Sequence, residues 1–194
     1  MRHLVAGLLA MVFFVSTAVP ATVPRKAVEF GFELPGGKQV LLSQYRGKAV
    51  VLAFFSTTCP HCQNTSMTLQ RLQNEFGPQG LQVLGVCFND MAKLLTPEFV
   101  QKYRLTYPVG YSLPQPVLDY MQHPMTQVPY VPMIMFIDKQ GMIRAQFGGD
   151  ADFFKNEEVN MRKNILTILG KPGAAAAPAS APAAVAKPAG KKAS

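Results

Sequence analysis

Two cysteines three residues apart, in Cys59-Pro60-His61-Cys62, are the side chains of this 194-residue chain best suited to chemistry. They follow an apolar run and precede Met67, Leu69, Leu72 and Phe76, which recur at helical spacing. A Cys-x-x-Cys at a helix start sets the first sulfur beside unpaired backbone N–H groups and the positive end of the helix dipole. Only the thiolate attacks, and such sites lower a thiol pKa from about 8.5 to between about 3.5 and 7.5. Cys59 is then the expected nucleophile, and Cys62, one turn further in, resolves the mixed disulfide. Pro60 suits the first helical position, where no N–H is needed. A protonated His61 adds positive charge beside Cys59, and stabilising the reduced form makes the disulfide a stronger oxidant.

Two other uses of the pair are open. A permanent staple would close a very small loop and restrict the unfolded chain little. A metal site needs further ligands, for which Cys87, His61 and His123 are the candidates; a thiol and imidazole copper carrier is the non-enzymatic alternative. His123 precedes Pro124 and reads as a loop residue, while Cys87 lies in an apolar strand and reads as a core cysteine. Dithiol exchange itself calls for no metal and no cofactor.

The elements that must position the pair can be read around it. "AVVLAFFS" is a continuous apolar run, expected as a central strand covered on both faces. A helix runs from Pro60 to Gly77-Pro78, and "LQVLGVCF" is a second buried strand, so a right-handed βαβ unit with parallel strands is expected. Upstream, two short strands flank Pro35-Gly36-Gly37, and "SQYRGK" reads as a turn or single helical turn. Downstream, "TPEFVQKYRL" is expected to be a helix with Thr96 as N-cap and Pro97 at its first position. A proline-rich segment over 106–130 holds one short helix near 117–121. "PMIMFID" and "GMIRAQF" form an antiparallel hairpin, and a last helix runs from about Asp152 to Leu169, ended by Gly170. The class is α/β, with a central mixed sheet flanked by helices and an N-terminal strand pair.

The ends differ in composition. Residues 1–21 have Arg2 and His3, an uncharged run, and small residues around Ala18 and Ala21, the layout of a signal peptide, with an uncleaved anchor as the competing reading. Export permits disulfide chemistry. Residues 171–194 are rich in Ala, Pro and Lys and are expected to be a disordered tail. The net charge of +8 is misleading, because residues 22–170 carry 14 Lys and Arg against 11 Asp and Glu. The domain is therefore only mildly basic and no nucleic-acid partner is expected.

The residues "LSQYRGKAVVLAFFSTTCPHC", "FVQKYRLTYPVGY" and "VPMIMFIDKQG" together resemble the TlpA/ResA group of exported thiol-disulfide oxidoreductases, related to the AhpC/TSA proteins. The resemblance covers about residues 28–169 and implies a thioredoxin-like fold. It further implies exchange with protein thiols and disulfides, a membrane or periplasmic redox partner, a periplasmic location and a monomer. The family's late proline, cis and lying against the thiols, maps onto Pro132 with Val131 before it; Val131, Pro132 and Thr58 are the expected substrate-binding positions. The CPHC tetrapeptide is similar to that of the dithiol oxidant DsbA. Thr58 stands where the family often has Trp, and Ala53 and Thr65 stand where related sites have acids. Peroxiredoxins share the fold, which makes a thiol peroxidase the second enzymatic alternative, but Ser56 replaces the Thr of their motif and its Pro is lacking.

Overall fold

A computed structural model describes residues 22–171; the expected signal segment and nearly all of the expected tail lie outside the described residues. Eight strands form one sheet: β1 (Arg25–Lys26), β2 (Gly31–Glu33), β3 (Gln39–Leu41), β4 (Ala49–Phe55), β5 (Leu81–Cys87), β6 (Val109–Tyr111), β7 (Met133–Ile137) and β8 (Met142–Phe147). Their order across the sheet is β1-β8-β7-β4-β5-β6-β2-β3. Four helices accompany them: α1 (Pro60–Phe76), α2 (Ala92–Lys102), α3 (Pro114–Tyr120) and α4 (Glu157–Leu169). No helix among the described residues is long and apolar enough to cross a membrane.

All seven residues of β4 are buried, because this strand lies between β5, parallel to it, and β7, antiparallel to it, with both faces covered. Side chains alternate across a strand, so β4 feeds two cores. Ala49, Val51, Ala53 and Phe55 pack with Leu69, Leu72 and Phe76 of α1, Phe99 of α2, and Met161, Ile165 and Ile168 of α4. Val50, Leu52 and Phe54 pack with Phe30, Phe32, Val117, Tyr120 and Met121 on the other face. Each such side chain contributes about 1.5–3 kcal/mol when fully buried.

The strand pair around Pro35-Gly36-Gly37, the βαβ unit, the late hairpin and the short turn over Leu42–Tyr45 lie where the sequence places them. Three readings are corrected. Helix α2 begins at Ala92, so Thr96 is not its N-cap: its hydroxyl is buried and donates to the Ala92 carbonyl at 2.7 Å. Pro97 accordingly lies inside the helix, where it removes the bond its nitrogen would make to the Lys93 carbonyl. Helix α3 starts at Pro114, three residues before the expected start, with proline at its first position. The stretch expected as one helix from Asp152 divides into a 3-10 turn over Asp152–Asn156 and α4, which ends as expected at Gly170 in the left-handed conformation, φ 76°.

Strands β1 and β6 have no counterpart in the sequence reading. β6 is three residues around Gly110, a residue that argues against a strand interior. The structure supplies its reason: a Cβ there would stand 2.2 Å from the Glu33 carbonyl oxygen and 2.7 Å from the Phe32 ring. Gly110→Ala is therefore expected to push β2 off β6 and cost about 1–3 kcal/mol, as overpacking does. The urea midpoint of unfolding measures this; an unchanged midpoint would mean that β2 and β6 do not approach this closely.

Candidate redox site

Strand β4 delivers the chain to a turn over Ser56–Thr58, and Cys59 then takes the N-cap of α1 with extended backbone, φ −82° and ψ 118°. A helix start leaves N–H groups without carbonyl partners. Here a sulfur accepts: the Cys62 N–H points at Cys59 Sγ, N to S 3.4 Å. Pro60 occupies the first helical position, as expected, and is exposed. Cys59 is partly exposed and Cys62 fully buried, and both are free thiols.

The two thiols therefore differ in environment. Cys62 Sγ accepts the Ser56 N–H, at 3.5 Å. Burial pushes its thiol far above the ordinary cysteine range; the Ser56 hydrogen bond opposes this in part, and Cys59 beside it adds to the rise. Cys87 ends β5 in the same core as Cys62, fully buried, its thiol pushed up to about 12 by burial and moderated by a hydrogen bond with Thr96. That is the setting of an unreactive core cysteine.

The peptide bond between Val131 and Pro132 is cis, as the family resemblance implied. Pro132 is buried at the start of β7, and the half-buried Val131 turns its carbonyl to Cys59, whose thiol donates to it across 3.9 Å. Gly149 holds this loop from behind. Its N–H donates to the Tyr130 carbonyl at 2.9 Å, and a Cβ on it would come within 2.8 Å of the Tyr130 and Val131 backbone. Thr58 is exposed, with Oγ1 3.2 Å from Ser56 Oγ. Thr57, by contrast, is buried and clamped. Its N–H donates to Asn89 Oδ1 at 2.9 Å, Asn89 Nδ2 returns a bond to its hydroxyl, and Gln63 Nε2 donates to its carbonyl.

His61 lies in the first turn of α1, but its hydrogen bond goes to α4 and not to Cys59: Nε2 is 2.9 Å from Glu157 Oε2. The Phe154 ring meets the imidazole edge to face, centroids 5.1 Å apart. His123 sits apart from these residues in the bonding pattern, its Nδ1 against the Pro124 carbonyl. No three His, Cys, Asp or Glu side chains among the described residues gather as a metal-ligand set.

The structure thus brings Cys59, Pro60, His61, Cys62, Val131 and Pro132 to one end of β4. It adds Asn89, Gly149, Phe154 and Glu157, none of which the sequence singled out. Each lies in a different element and shows no motif or periodicity; the one available signal was the acidic start of the last helix.

A family model for the AhpC/TSA family matches residues 23–146. The thiol-disulfide oxidoreductase ResA of Halalkalibacterium halodurans is 32% identical over 89 residues, covering 46% of this chain and 50% of that protein. The chain thus spans about half the length of curated relatives of this kind. Among solved structures, a thioredoxin-family thiol:disulfide interchange protein from Chlorobium tepidum superposes with a TM-score of 0.64 at 19% identity, covering 77% of this chain and 99% of that one. A secreted thiol-disulfide isomerase from Corynebacterium glutamicum gives 0.64 at 19% identity, covering 86% and 100%. These likenesses establish a thioredoxin-like fold. Because the family match runs from before β1 almost to the end of β8 and takes in the strand-to-helix junction that carries the thiols, the chain belongs to the AhpC/TSA family.

Proposed function

We propose that this protein is an exported thiol-disulfide oxidoreductase that exchanges disulfides with protein substrates through Cys59 and Cys62. The observation that carries the reading is the unequal pair itself: a reachable sulfur at the N-cap of α1, facing a backbone carbonyl at Val131, and a buried sulfur one turn behind it. The ResA relative, named for the same activity, supports it. Export rests on the composition of residues 1–21 and agrees with the secreted structural relative.

In the reducing direction the Cys59 thiolate attacks one sulfur of a substrate disulfide, the other substrate sulfur leaves as a thiolate, and a mixed disulfide remains on Cys59. Cys62 then loses its proton and attacks Cys59 Sγ, which releases the second substrate sulfur and leaves the Cys59–Cys62 disulfide. Oxidation of a substrate runs the same steps backwards. The N–H of Cys62 stabilises negative charge on Cys59 Sγ, and the half-buried Val131 offers an extended substrate segment a place to pair beside it. Pro132 and Thr58 flank that place, and His61 tunes the pair. A single domain suffices for this chemistry, and we read the protein as a monomer that meets a membrane or periplasmic redox partner.

Cys59→Ser is expected to lower exchange with a protein disulfide by roughly a thousandfold or more, the scale of losing a nucleophile. Cys62→Ser should instead accumulate mixed disulfides, seen as adducts in non-reducing mass spectrometry. Full turnover by the Cys59 variant would refute the mechanism.

The burial of Cys62 makes a second prediction. Its thiol stays protonated through neutral pH, so its thiolate fraction grows about tenfold for each unit between pH 7 and 9. Resolution of a pre-formed mixed disulfide, followed in a single turnover, is expected to quicken with that slope. A flat profile would mean that Cys62 is not deprotonated by solvent base.

A further inference from the structure

Glu157 is the first residue of α4, 96 positions from His61 in the chain, and its place is set by the core that also encloses Cys62. Met161, Ile165 and Ile168 hold α4 in the same core as Phe55 and Leu69, and Arg71 and Arg162 tie Glu158 and Glu75 across the surface between α1 and α4. This register brings one carboxylate oxygen of Glu157 to 2.9 Å from His61 Nε2. The other oxygen, Oε1, is buried and has no hydrogen-bond partner among the described residues. A buried acceptor without a partner is costly, by about 1–3 kcal/mol or more. The contact is withdrawn from water on the carboxylate side only, with 17% of the Glu157 side chain and 39% of the His61 side chain exposed. The Phe154 ring closes another side of the imidazole.

We propose that Glu157 is a positioning residue for the redox pair: it fixes the His61 imidazole and its proton in the first turn of α1, so that α4 sets how oxidising the Cys59–Cys62 disulfide is. A cation held two residues from Cys59 stabilises the thiolate and with it the reduced protein. The Glu157 carboxylate reaches the imidazole from α4, 96 positions along the chain. This inference rests on the disulfide-exchange reading.

The test is the equilibrium of the full chain with glutathione, in which the protein disulfide and two glutathione thiols give the protein dithiol and one glutathione disulfide. Two electrons and two protons pass to Cys59 and Cys62. Glu157→Gln is expected to shift this equilibrium toward the protein disulfide by about three- to tenfold, the size of a coupling between contacting charged groups. A tenfold shift is about 30 mV. In a His61→Ala background the same substitution should give no shift or a small one of opposite sign, and Glu157→Asp should restore part of the original value. A shift of equal size in both backgrounds, or none in the unsubstituted chain, overturns the proposal. A structural latch would lower the melting temperature without moving the equilibrium, which also overturns it. Should Glu157→Gln melt within the assay range, the cycle of Glu157→Asp with His61→Ala carries the same test. If the unsubstituted pair forms no disulfide in any of the buffers, the exchange reading fails; if it does and Glu157 is without effect, only the positioning role fails.

Discussion

The N–H groups that open α1 have no carbonyls to bond, and the site follows from what accepts from them. An oxygen from Ser, Thr, Asp or Asn usually does so. Here the acceptor is Cys59 Sγ, and Pro60 removes one orphan donor by having no N–H at all. The proposed nucleophile and the cap of the helix are thus one atom. It works because β4, buried along its whole length between two neighbouring strands, fixes where the turn begins, and because Asn89 and Gln63 hold Thr57 from both sides.

Much of this was legible because it is local. β4, β5, β7 and β8 show the burial pattern that their places in the sheet demand, and the thiols, Pro60, Val131 and Pro132 sit at the ends of those strands. What could not be read depends on distant backbone. Gly110 looks like a strand breaker until the Glu33 carbonyl is seen passing over it. Thr96 followed by Pro97 looks like a helix start, yet the helix begins earlier because the chain turns at Met91, left-handed with φ 61°, and the Thr96 hydroxyl is spent on Ala92. Asn89, Gly149 and Glu157 act through contacts tens of residues away, and an Asn after a strand or a Glu at a helix start has too many ordinary reasons to be there.

The two sulfurs carry opposite burdens. Cys59 keeps one side open to solvent and accepts a backbone N–H. Cys62 is enclosed by the core, and there burial outweighs the Ser56 hydrogen bond, so the proton is held tightly. The pair therefore offers one reachable sulfur and one guarded thiol, so that the two do not meet a substrate on equal terms. Thr65, one turn beyond Cys62 on α1, is buried with no partner for its hydroxyl among the described residues, and where an acid could have relayed a proton it cannot act as a base at neutral pH.

That division places control of the pair outside its own helix. α1 supplies the sulfurs, the cap and the imidazole, but the charge that holds the imidazole belongs to α4, and α4 is positioned by apolar side chains against the face of β4 that includes Phe55. Close-packed interiors transmit displacement because side chains cannot drift independently. The reach of Glu157 to His61 is thus set by the same core that sets the start of α1. With Glu157 positioning His61 as proposed, the redox chemistry and the hydrophobic core depend on one set of contacts, and a tightly packed α4 is a condition for a well-defined potential as well as for stability.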